Sequence, residues 1–323
     1  MRRLVLAGAG HAHAVALRAF AARRPQFDIT VVAPEASVLY SGMLPGVAAG
    51  HYRPDECAID FARLARAAGA EFLRDAVAGL DAAARTLRLE SGGSVSYEQL
   101  SLNVGSAVAA PPGALTVKPF AAFLDAVRHA PRVAVIGAGA GGVEIAMALR
   151  HRGAAVTLST DRFAFEGRVA RRISAALGRT GVEFRIGPPG EGVQVWASGA
   201  RAYPWLKESG LAADAAGFVL VDATLRSVSH PEVFAAGDCA TLRDAPHPKS
   251  GVYSVRHGPV LARNLAGGRR EYAPQPRQLA LLTCGGRYAI ASWGAFSAEG
   301  AWAWRWKDWI DRRWIARFRP PGG

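Results

Sequence analysis

Two glycine-rich turns constrain the fold of this chain more than any other feature. The first (GAGHAH, residues 8–13) directly follows the apolar run 4–6, and the second (GAGAGG, residues 137–142) directly follows the apolar run 133–136. Each turn stands where a buried strand would pass into a helix, which lets the backbone approach a pyrophosphate at the helix N-terminus. Two such turns in one chain predict two dinucleotide sites. The residues predicted to line them are Gly8, Gly10, His11 and Ala12 in the first turn and Gly137, Gly139 and Gly142 in the second.

Two further segments predict what the first turn binds. Residues 233–238 read as an apolar strand that ends in Gly-Asp, and residues 100–106 carry Asn-Val-Gly near their end. These segments resemble the second flavin motif and the connecting segment of the two-dinucleotide-domain flavoproteins, in which the aspartate accepts hydrogen bonds from the ribityl chain of FAD. The resemblance implies FAD at the first turn, with Gly105, Gly237 and Asp238 beside it, and NADH or NADPH at the second.

Composition and charge exclude several other classes of protein. The chain has 323 residues and a net charge of +13, and only four of its 39 basic residues are lysines. No arginine-rich block carries an RNA-binding signature, so a biased composition explains the charge and no nucleic-acid partner is predicted. The three cysteines lie far apart without a CxxC pair, which argues against disulfides and metal and for a reducing cytoplasm. The chain has no stretch of about 18 uncharged apolar residues, so no membrane-spanning helix is predicted.

The order of predicted elements gives an α/β architecture with two Rossmann-like dinucleotide-binding domains and a small C-terminal α+β module. Residues 1–117 and 197–266 are predicted to form a discontinuous FAD-binding domain, into which the NAD(P)-binding domain, 118–196, is inserted. Residues 267–323 form the C-terminal module, which ends in a helix rich in tryptophan and arginine. The inserted domain is predicted to be short, because a loop over 187–192 stands where the family usually carries a β-hairpin.

Several local elements follow from hydrophobic periodicity and turn residues. A helix is predicted over 58–68, and a hairpin over 85–90 and 94–97. The C-terminal module is predicted to begin with strands near 279–283 and 287–292.

Five segments carry a more specific resemblance. The most distinctive are Tyr-Ser-Gly-Met-Leu-Pro-Gly at 40–46 and the tryptophan-rich segment 304–312, and the others are 10–13, 102–106 and 117–119. Together they resemble the pyridine nucleotide-disulfide oxidoreductase-type flavoproteins found alone or fused ahead of selenophosphate synthetase. That branch is similar to type II NADH dehydrogenases. The resemblance covers nearly the whole chain and implies FAD binding, a contact from Gly42 to the cofactor, and electron transfer from NAD(P)H.

Two positions of the first unit depart from the family pattern. His13 stands at the third glycine position, where packing between helix and strand is favoured over a chemical role. The acidic residue expected at the end of the second strand is absent from Ala33 and Pro34. Glu35 is the nearest candidate for the ribose hydroxyls, and a solvated loop carboxylate is the alternative.

The second unit leaves the nicotinamide preference open. Thr160 stands where a carboxylate would favour NADH, and a neutral residue followed by Arg162 favours the 2′-phosphate of NADPH. Asp161 keeps NADH open. Glu144 resembles a family position near the nicotinamide, and its alternative is a first-turn carboxylate stabilised by the helix dipole.

The electron acceptor is predicted from a missing cysteine pair. In disulfide reductases of this family the pair lies against the isoalloxazine, in the segment that corresponds to 40–50, and this segment has no cysteine here. Hydride is therefore predicted to pass from nicotinamide to flavin and on to a diffusible acceptor, and the resemblance to type II NADH dehydrogenases implies that this acceptor is quinone-like.

Lys118 and Arg256 are the two predicted catalytic residues. Lys118 resembles a family lysine near the flavin, and a plain carboxylate pair is its alternative. Val252 and Arg256 stand where type II NADH dehydrogenases carry two glutamines that touch the quinone. Arg256 is predicted near the flavin N1/C2 edge, where a cation would stabilise the reduced flavin, and a surface ion pair is the alternative.

Two other functions stay open. Oxidation of sulfide or selenide with quinone reduction would need cysteines that face the flavin, for which Cys239 and Cys284 are the candidates. A non-catalytic FAD-binding partner or sensor would follow if the shortened domain no longer served NAD(P)H.

The C-terminal helix is predicted to carry one slowly drifting apolar row with arginines around it. Tryptophan beside arginine is typical of a membrane interface, so an anionic membrane surface is one predicted partner. The alternatives are packing on the FAD domain and a homodimer. The predicted localisation is cytoplasmic, with peripheral binding to the inner face of the cell membrane. The row consists of Trp302, Trp306, Ile310, Trp314 and Phe318, and Trp309 widens it.

Overall fold

The first apolar run forms the central strand of the first sheet. β1 (Arg2–Ala7) passes through the glycine turn into α1 (His11–Ala22), and β2 (Phe27–Ala33) returns parallel to β1. The computed structural model describes residues 2–319 of the chain. The other elements of this N-terminal part are β3 (Ser37–Leu39), α2 (Leu44–Ala48), β4 (Ala58–Asp60), α3 (Phe61–Ala68), β5 (Glu71–Arg74), β6 (Val77–Asp81), β7 (Thr86–Leu89), β8 (Ser94–Ser96), β9 (Gln99–Leu102) and β10 (Ala107–Val108).

A second unit of alternating helices and strands follows. Its elements are α4 (Phe120–Val127), β11 (Arg132–Ile136), α5 (Ala140–His151), β12 (Ala155–Thr160), α6 (Gly167–Thr180), β13 (Glu183–Ile186) and β14 (Val193–Trp196). The chain then returns to the first unit through β15 (Ala200–Arg201), α7 (Pro204–Glu208), β16 (Val219–Val221), β17 (Val233–Ala235), β18 (Ala240–Leu242) and α8 (Gly251–Leu265). The C-terminal elements are β19 (Leu279–Thr283), β20 (Ala289–Trp293), β21 (Phe296–Gly300) and α9 (Ala301–Ala316).

The first sheet is parallel throughout, with strand order β17-β9-β1-β2-β5. Its central strand is fully buried from Leu4 to Ala7, as expected for a strand covered by helices on both faces. The carboxyl ends of β1, β9 and β17 meet at one edge. The sheet therefore brings together the three segments that the sequence predicts around FAD.

The second sheet takes all four of its strands from residues 132–196. It is parallel, with strand order β13-β12-β11-β14. Residues 187–192 contain no strand, as the sequence analysis predicted for a shortened domain. The two passages between the units pair with each other, because β10 and β15 form a short antiparallel ribbon.

Two local predictions need correction. The stretch predicted as one helix over 58–68 is a strand, β4, followed by α3. The Asp60 carboxylate accepts a hydrogen bond of 2.9 Å from the Arg63 backbone N–H, and this cap starts the helix at Phe61. The C-terminal module also has a third strand, β21, which pairs with β20 and was not predicted.

The apolar row of α9 is divided between the protein interior and solvent. Trp314 and Phe318 are buried, whereas the side chains of Trp302, Trp306 and Trp309 are 45%, 41% and 57% exposed. An α-helix turns about 100° per residue, so a four-residue spacing drifts by about 40° at each step. The row therefore winds from solvent toward the FAD domain, in line with the predicted drift, and its buried end packs on that domain as the alternative to a membrane face predicted.

Gly285 lies where the C-terminal module packs closely against α5. A Cβ on Gly285 would lie 2.3 Å from the Met147 carbonyl oxygen. Gly267 has a similar φ of +90°, against +80° for Gly285, but a Cβ there would meet nothing within 4 Å. We expect Gly267→Ala to cost about 1–2 kcal/mol from backbone strain alone, and Gly285→Ala to cost clearly more. Thermal unfolding of the two variants measures the difference, and equal losses would contradict the close fit.

Candidate functional site

The first glycine turn is built around the side chain of Asn103. Gly8 has a φ of +98°, and a Cβ on it would lie 2.5 Å from the Asn103 carbonyl oxygen. A Cβ on Gly10 would lie 2.2 Å from Asn103 Oδ1. That oxygen accepts hydrogen bonds from the backbone N–H groups of Ala12 (3.1 Å) and His13 (3.2 Å). The turn thus needs glycine because Asn103, directly after β9, lies against it and its side chain caps α1.

His13 has the packing role that the sequence favoured. Its ring is fully buried, with Nδ1 2.6 Å from the Gly8 carbonyl oxygen and Nε2 2.8 Å from Ser101 Oγ. Burial lowers the pKa of His13 to about 4, and the bond to Gly8 opposes this only in part. A neutral imidazole therefore joins α1 to β9.

Four segments of the chain meet at Asp238. Lys118 Nζ lies 3.7 Å from Asp238 Oδ2, and Ser254 Oγ donates a 3.3 Å hydrogen bond to Oδ1. His11 is close enough to feel both charges. Burial lowers the pKa of His11 to about 4, with Asp238 opposing the shift and Lys118 adding to it. The structure thus brings together Lys118, His11 and Asp238.

A buried histidine holds the turn before Asp238. The Gly237 backbone N–H donates a 3.0 Å hydrogen bond to His257 Nδ1, and Gly237 has a φ of +73°. Burial lowers the pKa of His257 to about 3, so the ring stays neutral and its Nδ1 remains an acceptor. His257, near the middle of α8, therefore fixes the backbone that carries Asp238.

The other predicted FAD residues differ in their surroundings. A Cβ on Gly42 would lie 2.7 Å from the Tyr40 ring, and Gly105 has a φ of +73° with open space around it. Glu35 and Arg256 are exposed, and within residues 2–319 neither forms a side-chain hydrogen bond or ion pair. Their contacts with cofactor stay predictions, and the structure does not join Arg256 to Asp238.

The second glycine turn is more open than the first. A Cβ on Gly142 would lie 1.8 Å from the Gly137 carbonyl oxygen, so this glycine permits the close contact of helix and strand. A Cβ on Gly137 would meet the Ser198 backbone at 2.8 Å, whereas Gly139 faces open space. No side chain in the described part of the chain accepts from the N–H groups of residues 140–142. The start of α5 can therefore receive a pyrophosphate.

The loop after β12 presents both charges that bear on nicotinamide preference. Thr160 Oγ1 donates to the Arg162 carbonyl oxygen (2.9 Å) and accepts from its N–H (3.4 Å). This turn leaves the side chains of Asp161 and Arg162 exposed. NADH and NADPH both remain open.

Glu144 requires a correction to one of its two predicted roles. α5 begins at Ala140, and its first turn contains no acidic residue. Glu144 Oε1 accepts from the backbone N–H (2.8 Å) and the hydroxyl (3.0 Å) of Thr283 in β19. Burial raises the pKa of Glu144, and Lys307 opposes the shift. The helix-dipole alternative was wrong, and the position near the nicotinamide stays a prediction.

All three cysteines are free and buried. Burial raises the pKa of Cys239 to about 11 and those of Cys57 and Cys284 to about 12, so none is a ready thiolate. Within the described ranges there is no cluster of metal-ligating side chains.

Several polar residues of the site escaped the sequence analysis. Asn103 was seen only as part of a connecting segment, and charges within the tryptophan-rich helix were counted as solvent-facing. An asparagine in an otherwise apolar strand end was the one local signal. The missed residues are Asn103, Ser254, His257, Thr283, Lys307 and Asp311.

Comparison with known proteins identifies the family. The sequence model of the pyridine nucleotide-disulphide oxidoreductase family matches residues 2–194 and 191–258, so the chain belongs to this family. The chain is 28% identical over 316 residues to an NADH dehydrogenase-like protein of Mycobacterium tuberculosis, covering 81% of this chain and 78% of that protein. It is 30% identical over 267 residues to the nitric oxide reductase FlRd-NAD(+) reductase of Aeromonas salmonicida, covering 72% of this chain and 68% of the relative.

A solved structure supports the same fold. The sulfide:quinone oxidoreductase of Aquifex aeolicus superimposes with a TM-score of 0.79 and 15% identity, over 99% of this chain and 92% of that one. At this identity the likeness shows the fold alone. With the family match, the predicted α/β class and the predicted cofactors, FAD and NAD(P)H, are confirmed: the chain is an NAD(P)H oxidoreductase.

The described residues fit both cofactors. The first site offers the Lys118–Asp238 pair beside the glycine turn, and the second offers open N–H groups at α5. FAD and NAD(P)H supply the hydride chemistry when bound, while the chain binds, orients and sets the local charge.

Asp238→Ala should release FAD. Hydrogen bonds to a charged group contribute about 1.5–3 kcal/mol, so we expect FAD affinity to fall by about tenfold or more. Flavin absorbance per mole of purified protein measures the loss. Asp244→Ala, at an exposed aspartate on the same segment, is the matched control. Full flavin content in Asp238→Ala would refute the assignment.

Proposed function

We propose that this oxidoreductase passes hydride from NAD(P)H to FAD and then reduces a diffusible, quinone-like acceptor without a thiol step. The observation that carries the proposal is the segment 40–50, where the family's redox disulfide would lie against the flavin. It contains no cysteine, and the three free cysteines are buried elsewhere. Electrons must therefore leave the flavin directly.

The acceptor class rests on two supports. The relatives include an NADH dehydrogenase-like protein, and the 40–46 and 304–312 segments resemble the branch that is similar to type II NADH dehydrogenases. The nitric oxide reductase FlRd-NAD(+) reductase makes a redox protein the main competing acceptor class. An acceptor screen with a soluble quinone and a rubredoxin compares the two.

Four charged residues of the two candidate sites have a part in this function. Asp238 would hold the ribityl chain, and Lys118 would place a positive charge beside it, 3.7 Å away. Arg162 and Asp161 would select the nicotinamide dinucleotide through its 2′ group.

A variant with Cys57, Cys239 and Cys284 all changed to alanine should keep its rate of flavin reduction. Alanine avoids the buried, unsatisfied hydroxyl that serine would introduce. Anaerobic stopped-flow absorbance with NADH and then NADPH measures the rate.

Two results would contradict the proposal in different ways. Loss of reduction in a folded, FAD-loaded triple variant would indicate a thiol step and favour the sulfide or selenide oxidase. Absence of flavin reduction in the unaltered protein by either nucleotide would favour the non-catalytic FAD-binding alternative.

We further propose that the exposed part of α9 binds an anionic membrane surface, where a quinone would dissolve. Trp302 and Trp306 stack with ring centroids 6.4 Å apart, and the Arg313 guanidinium lies 5.5 Å from the Trp309 ring. Exposed indoles beside guanidinium groups match the headgroup region of anionic lipid. No helix within residues 2–319 has the length and apolarity needed to cross a membrane.

Replacing Trp302, Trp306 and Trp309 together by serine should abolish co-sedimentation with anionic vesicles. The matched control is Trp293→Ser with Phe296→Ser, which removes two aromatic side chains of similar exposure from the β20–β21 hairpin. Equal binding by both variants would contradict the proposal. Loss of a dimer in size-exclusion chromatography, without loss of lipid binding, would assign this face to a second copy of the chain.

A further inference from the structure

A buried group of charges joins the FAD domain, the inserted domain and the C-terminal module. We call Glu144, Thr283, Lys307 and Asp311 the junction cluster. Lys307 Nζ donates to Asp311 Oδ2 (2.6 Å) and to the carbonyl oxygen of Gly42 (2.7 Å). Only 14% of the Lys307 side chain and 7% of the Asp311 side chain are exposed. These charges are thus held away from solvent by all three parts of the chain.

The junction cluster is connected to the flavin site. The Tyr40 hydroxyl lies near Asp311: burial raises the pKa of Tyr40, and the Asp311 carboxylate adds to the shift. The Tyr40 ring packs edge-on against His11, with ring centroids 5.1 Å apart, and His11 lies beside Asp238. Side chains in contact therefore run from the FAD turn to Lys307.

A small cavity lies against the cluster. Its volume of about 10 Å³ is close to that needed for one water molecule. Thr283, Lys307 and Asp311 line one part of it and offer hydrogen-bonding atoms. Gly42 and Gly46 line another part, and both belong to the segment where a disulfide reductase carries its cysteines. A polar, water-sized space thus stands in the region of the missing disulfide.

The surrounding charges favour a proton on Lys307. Burial lowers the pKa of Lys307, but the carboxylates of Asp311 and Glu144 outweigh it and the pKa is raised. Burial also raises the pKa of Asp311 and of Glu144. Besides the cluster's own members, the titratable and charged groups that face it from the packed elements are Tyr40, Tyr52, Cys57, Cys284, Asp308 and Arg312.

We propose that Lys307 delivers, through the cavity, the second proton needed to reduce the acceptor. Quinone reduction takes two electrons and two protons, and hydride from NAD(P)H brings both electrons and one proton. The second proton leaves the Lys307 ammonium, whose N–H electron pair stays on nitrogen, and forms an O–H bond on the acceptor oxygen. A proton from solvent then restores the ammonium, and Asp311 positions the Lys307 side chain.

This inference rests on the proposed function, so its test compares two acceptors. A soluble quinone needs the proton, whereas ferricyanide takes one electron and needs none. We expect Lys307→Met to lower the ratio of quinone to ferricyanide turnover by about 100-fold, the scale of general acid catalysis. Lys207→Met, at an exposed lysine of α7, is the matched control and should leave the ratio unchanged.

Asp311→Asn keeps the side-chain shape and guards against a folding defect in Lys307→Met. It removes a carboxylate that raises the pKa of Lys307, so that pKa should fall. Quinone turnover should then begin to decline at a lower pH on the alkaline side, while the pH profile with ferricyanide should not move.

The outcomes separate the two proposals. An unchanged ratio in folded Lys307→Met, or a parallel loss with both acceptors, overturns the role of Lys307. An unmoved quinone profile in Asp311→Asn overturns the role of Asp311. Unaltered protein that reduces ferricyanide but no quinone overturns the proposed acceptor and this inference with it.

Discussion

The geometry of the predicted flavin site depends on the hydrogen bonds of the Asn103 side-chain amide. Its oxygen accepts from two N–H groups at the start of α1, and its nitrogen donates 2.6 Å to the Ala236 carbonyl oxygen. The side chain that directly follows β9 thus connects the ends of β1 and β17. A Cβ on Gly8, Gly10 or Gly237 would lie within 2.6 Å of an Asn103 atom. Asn103 therefore occupies the space that a side chain at any of these three positions would need. Removing the amide would leave the buried N–H donors without an acceptor, which would cost about 1–3 kcal/mol of stability for each donor.

The C-terminal module is positioned by polar contacts as well as by apolar packing. A buried ion pair is weak evidence for stability, because the cost of desolvation offsets much of the attraction. The buried pair of Lys307 and Asp311 instead serves to position the C-terminal module. Lys307 donates hydrogen bonds to one oxygen of the FAD domain and to one of its own helix. Glu144 of α5 accepts hydrogen bonds from both the N–H and the hydroxyl of Thr283. These bonds have few alternative partners, so they fix α9 and β19 against both dinucleotide domains.

The sequence could predict what short-range patterns specify. Apolar runs followed by glycine turns gave β1, α1, β11 and α5 within one or two residues, and the two Rossmann-like units followed from them. Contacts between distant segments left no local pattern. Glu144 accepts a hydrogen bond from Thr283, which lies 139 residues later in the chain. Lys307 donates one to Gly42, which lies 265 residues earlier. Which part of the drifting α9 row is buried could not be predicted for a related reason, because its burial depends on where the FAD domain meets the helix.

The two glycine turns share a sequence pattern but differ in what already occupies the helix N-terminus. At α1 the N–H groups of Ala12 and His13 are bound by Asn103, and the His13 ring ties the helix to Ser101. The first turn is therefore rigid before any cofactor arrives, which suits a flavin that stays bound through turnover. At α5 the corresponding N–H groups have no side-chain acceptor in the described structure, and Gly139 faces open space. A nucleotide can enter there and leave without breaking protein contacts, as a hydride donor must in every cycle.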